Sequence, residues 1–267
     1  MPKGDTIWRT AAALRPRLVG RRVLAARPAG IGRLAQRTVT AVEARGKHLL
    51  IRFEGGWTLH SHMRMSGSWH LYQPGERWQR PERQARAVLE CADVVAVCFN
   101  APVVDVVRDD TTAVAHLGPD ILADPFDLDE VVRRAALADA PTVGELLLDQ
   151  RVCAGIGNIY RCDSLWVLRL NPWSAPGEIA EDELRRCYAT ARDLMRHALG
   201  AAGQRPLVHG RSGRPCPRCG RPVAMRAQGH QARLVYWCRH CQGTAPRPVS
   251  RAPVEPGPIR RRAGTGQ

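Results

Sequence analysis

The chain has 267 residues, 44% apolar and 24% charged, enough for one large core or two smaller ones and too apolar for wholesale disorder. Lys and Arg number 40 against 25 Asp and Glu, a formal charge of +15 with a pI near 10.4, so a phosphate-bearing nucleic acid is the expected partner. No apolar run of membrane-spanning length and no signal peptide occur, and nine cysteines cannot complete a disulfide framework, so a membrane partner is excluded and a cytoplasmic protein at the bacterial nucleoid is expected.

The chain opens Met1-Pro2-Lys3. Loss of Met1 would give Pro2 a free secondary amine, either an incidental terminus or a nucleophile. Ile7, Ala11, Leu14 and Leu18 then recur at helical spacing, which predicts a helix over 5–19 that Pro16 would kink or end. From Arg22 to Val107 eight short β-branched runs alternate with turn signals such as "RGK", "EGG" and "FNAP". These predict a β-sandwich or flattened barrel of antiparallel strands.

After "AHLGPDIL" the pattern turns helical, over 127–137, 142–150, 158–170 and 180–200. The turn "CAGIGN" precedes the third of these. Backbone N–H groups at that helix start, at Asn158 with Gly155 and Gly157 before it, offer a cradle for a phosphate; plain helix packing is the alternative. The fold class is therefore α+β: 1–115 a helix plus β-sandwich, 116–205 helical, 206–242 a small cysteine module, and 243–267 a disordered basic tail.

The cysteine module is the strongest local signal. Cys216-Pro-Arg-Cys219 and Cys238-Arg-His-Cys241, eighteen residues apart, have the spacing of a zinc ribbon, with one structural Zn²⁺ per chain held by four thiolates. A redox pair is the alternative, and His240 is a substitute ligand. The intervening segment reads as a β-hairpin turning around 227–231. Arg218, Arg221, Arg226, Arg233 and Arg239 decorate it in a way that suits docking on a phosphate backbone. Cys91, Cys98, Cys153, Cys162 and Cys187 read as buried thiols.

Pro2, "RGKHLL", "SHMRMSGSW", "HLGPDIL", "LLDQRVCAGIGNIYRCDSLW" and "YWCRHCQ" together resemble the formamidopyrimidine-DNA glycosylase / endonuclease VIII family, in its actinobacterial endonuclease VIII-like branch. The resemblance covers residues 2 to about 242. It implies an N-terminal β-sandwich, a helix–two-turn–helix motif, a zinc finger, and damaged double-stranded DNA bound between the domains by a monomer. It further implies that Pro2 attacks C1′ of the damaged nucleotide to form a Schiff base, after which elimination cuts the strand. By the same resemblance Lys47 contacts the lesion phosphate, Met65 fills the void left by a flipped base, and Asn158 and Arg233 grip phosphates. Asp5 matches a supporting acidic residue, or is simply a helix N-cap.

The chain departs from the family at Lys3, where a glutamate serves as proton donor or relay. Lysine cannot act as a carboxylate acid, and Asp5 or Glu43 would have to substitute. The expectation is an abasic-site lyase that keeps strand cleavage while its N-glycosylase activity on oxidised pyrimidines is weakened or lost. The alternatives are a catalytically silent, zinc-containing DNA-lesion-binding protein and a zinc-ribbon RNA-binding protein.

Overall fold

The computed structural model describes residues 4–108, 111–200 and 205–245. Pro2, Lys3 and the predicted tail beyond residue 245 thus lie outside the described residues. Helix α1 (Gly4–Leu18) buries Ile7, Ala11, Leu14 and Leu18 along one stripe, each contributing up to about 1.5–3 kcal/mol for the larger side chains. It continues two residues past Pro16. In the last turn a proline forfeits a single backbone bond, which explains why the expected break does not occur.

Eight strands follow: β1 (Ala25–Arg27), β2 (Val39–Arg45), β3 (His48–Phe53), β4 (Trp57–His62), β5 (Ser68–Tyr72), β6 (Ala85–Glu90), β7 (Val95–Phe99) and β8 (Val103–Val107). They form two antiparallel sheets, β1-β6-β7-β5 and β2-β3-β4-β8. Val42, Leu49, Ile51 and Leu59 of one sheet meet Leu89, Ala96 and Cys98 of the other, with α1 in the same core. Strand β3 does not alternate, because Leu50 on its other face is also buried, against Val114, Leu117 and Ala154. That second contact is where the sandwich meets the rest of the chain.

The second half carries α2 (Thr111–Val114), α3 (Leu128–Leu137), α4 (Val143–Leu146), α5 (Asn158–Val167) and α6 (Glu181–Gly200). Trp8 of α1 packs on their shared core, so α1 serves both halves. The helix expected over 142–150 shrinks to α4. Thr142 caps its start, accepting from the Glu145 N–H at 3.2 Å, and Gln150 leaves the helix to bond the following turn. Strands β9 (Ala224–Gln228) and β10 (Arg233–Trp237) and the short helix α7 (Arg239–Gln242) complete the chain, with the hairpin turn where it was expected. Their own apolar cluster is small: Val208, Val223, Val235 and Trp237 with two of the cysteines, against Cys162 and Trp166 of α5.

Candidate nucleic-acid cleft and metal centre

Three pieces of chain converge at one junction. The β2–β3 turn has Gly46 at φ +58, with its N–H donating to Asp120 Oδ2 at 2.5 Å. A Cβ here would stand 3.0 Å from the Ala154 Cβ, so glycine is needed for both conformation and approach. Burial pushes the Asp120 carboxyl up, and the N–H groups of Gly46 and Leu122 pull it back. The first turn of α1 docks on the same place: the Gly4 N–H donates to the Gly155 carbonyl at 3.1 Å, an oxygen that a Cβ on residue 4 would approach to 2.9 Å. Gly155 also donates its N–H to Gln150 Oε1 at 3.0 Å. Both its backbone groups are thus engaged in anchoring, which its expected role as a phosphate donor did not foresee. Gly157 is the extended N-cap of α5.

Beside this junction lies a cleft of about 910 Å³ between the halves. Lys47, Arg64 and Met65 line the sandwich wall; Arg161 and Arg233 line the other. Met63 is buried and anchors its loop, and the Gly67 N–H closes on its carbonyl at 2.8 Å. Met65, two residues on, is 70% exposed, an apolar side chain held out into a basic cleft. Arg233 at the start of β10 is steadied by Gln231, to which its Nε donates at 2.8 Å. Half-buried Lys47 is pulled down to about 7, by burial first and then by Arg233.

The expected acids are elsewhere. Asp5 lies inside the first turn of α1, almost fully buried, paired with Arg9 at 3.0 Å and set against the Tyr160 hydroxyl. Glu43 lies on the sheet, where both its oxygens accept from Arg52 at 3.1 Å. Neither lines the cleft, whose carboxylates are Glu145 and Asp149. Asn158 also turns inward: its amide donates to the Leu234 carbonyl at 2.8 Å and to His209 Nε2 at 3.2 Å, and it accepts from Arg161.

Several site residues carried no signal in the sequence. His48 and His60 share a 2.7 Å hydrogen bond, and His62 stands edge-on to His48 at 4.7 Å between centroids. Burial and the neighbouring rings push His48 down to about 3, and burial lowers His62 as well. Only the β3–β4 register brings these histidines together. In α5, Arg161 is fully buried and bonds Asn158, Gln228 and the Leu234 carbonyl, joining the helix to the hairpin. Asp163 accepts the N–H groups of Leu207, Val208 and His209 at 2.9, 3.0 and 3.2 Å. Asp163→Ala would orphan those donors and is expected to destabilise by about 3–5 kcal/mol, read as a fall in the chemical-denaturation midpoint; Asp163→Asn recovers part of the loss.

At the hairpin base the sulfurs of Cys216, Cys219, Cys238 and Cys241 lie within 4.8 Å of one another. Four converging thiols, two from each C-x2-C turn, form a closed donor set for one metal ion. The Trp166 Nε1–H points at the Cys216 sulfur at 3.3 Å. His240 is exposed and outside the set. Arg218, expected on phosphate, instead caps α5: its guanidinium donates to the carbonyls of Trp166 and Val167 at 2.9 and 3.0 Å and stacks on Trp166. The other five cysteines are buried and unpaired thiols, as expected.

A sandwich and a helical half with a four-cysteine cluster, enclosing a cleft lined by Lys47, Arg64 and Arg233 with the exposed Met65, describe a nucleic-acid-binding protein. The N-terminal domain of formamidopyrimidine-DNA glycosylase matches residues 1–102 and its H2TH domain matches residues 117–206, and the chain belongs to the formamidopyrimidine-DNA glycosylase / endonuclease VIII family. It is 42% identical to the probable endonuclease 8 2 of Streptomyces coelicolor, over 96% of this chain and 99% of that protein. It is 36% identical to the DNA-(apurinic or apyrimidinic site) lyase Nei2 of Mycolicibacterium smegmatis, over 91% and 99%. Among solved structures it resembles the MutM (Fpg) protein of Thermus thermophilus, with a TM-score of 0.77, 29% identity and coverage of 92% and 100%. A Lactococcus lactis Fpg complexed with THF-DNA and an inhibitor shares the fold, with a TM-score of 0.79, 18% identity and coverage of 90% and 99%.

Proposed function

We propose that this chain is a base-excision repair enzyme that binds damaged duplex DNA and cuts it at abasic sites through a Schiff base on the Pro2 amine. The observation that carries this reading is the anchoring of Gly4 to Gly155 beside the Lys47 turn. Residue 2 stands two positions before Gly4 in the sequence, and in this reading its amine serves the cleft beside that anchor. A terminal α-amine has a pKa well below that of lysine, and a secondary one forms an iminium directly. Its lone pair attacks C1′ of the open sugar, water leaves, the C2′ proton becomes acidic, and loss of the 3′ phosphate breaks the strand.

The other residues position the substrate. Met65 occupies the gap left by the extruded nucleotide, while Lys47 and Arg233 take phosphates from opposite walls. The four cysteines would hold a structural Zn²⁺, clasping the base of the hairpin that carries Arg233. The division into 1–115, 116–205 and 206–242 is kept in this reading, supported by one main apolar cluster centred in each part. One chain builds the whole cleft, in keeping with a monomer acting on nucleoid DNA, and no helix among the described residues is long and apolar enough to cross a membrane.

A duplex with a single abasic site is expected to be bound and cut in preference to intact duplex or an RNA hairpin. An N-terminal extension, which ties the terminal amine into a peptide bond, should slow the cutting severely. Equal cutting by extended and native chains, or equal affinity for abasic and intact duplex, would contradict the proposal.

A further inference from the structure

Trp57 opens β4 at the end of the strand away from the cleft. His62, which lines the cleft, closes the same strand about 17 Å further along. The Trp57 indole is half-buried on the sandwich core, and three guanidiniums crowd it. Arg33 comes from the 3₁₀ turn Ala29–Leu34, Arg37 precedes β2, and Arg108 follows β8; they stand 5.2, 5.7 and 5.3 Å from the ring centroid. Elsewhere the chain pairs its surface arginines with acids, as Arg27 with Glu82 and Arg134 with Glu130. Around Trp57 no carboxylate among the described residues pairs with any of the three. Glu54, in the adjoining turn, spends its carboxylate on the Thr38 N–H at 3.3 Å and offers Arg37 only its carbonyl, at 3.2 Å. Arg37 also donates through Nε to the Arg33 carbonyl at 2.9 Å, which ties the group together. The result is a held cluster of donors and positive charge without a matching acceptor.

We propose that the Arg33, Arg37 and Arg108 patch around Trp57 is a second DNA-binding surface, which takes the phosphate backbone of another duplex segment while the cleft holds the first. A guanidinium presents a planar fork of donors that matches phosphate oxygens. Three of them together favour a ligand whose negative charges repeat closely, because each phosphate they neutralise releases condensed counterions. Contacts of this kind read no base, so the surface is indifferent to sequence and to damage. Its place sets it apart from the cleft. Lys47, Met65 and Arg233 serve the other end of the sheet, so their contacts leave the Trp57 end open. A protein that holds two segments at once passes from one to the other without dissociating, which serves the search for a lesion rather than the chemistry on it. From the reading above the inference takes only that the cleft holds DNA.

The test saturates the full chain with an unlabelled duplex carrying a stable abasic-site analogue, then titrates in a labelled intact duplex at increasing salt. Native gels and sedimentation count the duplexes on each protein. Expected is a complex with two duplexes. With Arg33→Gln, Arg37→Gln and Arg108→Gln combined, the second duplex should bind about tenfold or more weakly. Its plot of log K against log salt should be shallower by about 2.7, or about 0.9 for each lost phosphate contact. The corresponding triple lysine variant keeps the charge and should keep most of the second binding. Both variants should melt close to the native chain and cut an isolated abasic duplex at its rate, which separates a lost contact from a lost fold. Equal binding of the second duplex by the native chain and the glutamine variant overturns the proposal, as does a native chain that takes one duplex only. An oligoglutamate peptide bound in place of a second duplex, and released by the glutamine variant, overturns it in favour of an acidic protein partner. Preference of the first-bound duplex for the abasic analogue reports on the cleft separately, so the two readings fail independently.

Discussion

Replacing Cys238 with serine, or stripping the metal with a chelator, is expected to abolish cleft-specific DNA binding while leaving the β-sandwich folded. Cys238 is fully buried among Val235, Trp237 and Cys216, and the hairpin has little apolar surface beyond this cluster. A four-thiolate zinc site contributes about 10–16 kcal/mol of binding free energy to folding at neutral pH, far more than so small a cluster supplies. Without it β9 and β10 lose their base, Arg233 leaves the cleft, and Arg161 and Gln228 lose their partners across the α5 contact. The effect should appear as loss of abasic-duplex affinity with one equivalent of zinc released, and as an early melting step ahead of the sandwich. Undiminished affinity in the metal-free protein would contradict this account of the hairpin.

Lys3→Glu is expected to raise excision of an oxidised pyrimidine by about 10²–10⁴-fold, the range a well-placed general acid supplies. Asp5 pairs with Arg9 on the Tyr160 side of α1 and Glu43 with Arg52, and in this account neither fills the role. Cutting at a pre-formed abasic site should change much less, because that sugar opens without enzymatic help. Measuring both reactions on matched duplexes separates the steps. Equal excision of the oxidised base by both proteins would end the idea that Lys3 impairs base release.

The elements of the fold were legible wherever one period dominated. Eight β-branched runs became eight strands, because each needed only its own alternation or apolar run and a turn on either side. The C-x2-C pairs were legible because metal coordination is encoded in local spacing. Hydrogen bonds between distant parts were not. α4 stops at Leu146 because Gln150 is drawn to Gly155 and Ile156, and nothing in "TVGELLLDQ" announces that. Asp5 matched a family position, yet its carboxylate is turned toward Arg9 and Tyr160. Asn158 read as a surface contact because it opens a helix, but α5 is enclosed by α6 and the hairpin, so its amide found protein partners. The histidine cluster depends on strand register, Arg161 on the hairpin and Asp163 on the backbone of 207–209, each more than 40 residues away.

The central claim is that a terminal amine does the chemistry of this cleft. Its most direct test is borohydride trapping of the native chain, its N-terminus verified by mass spectrometry, on a duplex with one abasic site. The account predicts a covalent adduct that maps to Pro2. A Met1-free protein that binds the abasic duplex and yields no adduct would contradict it, and would mark the chain as a lesion-binding relative without the chemistry.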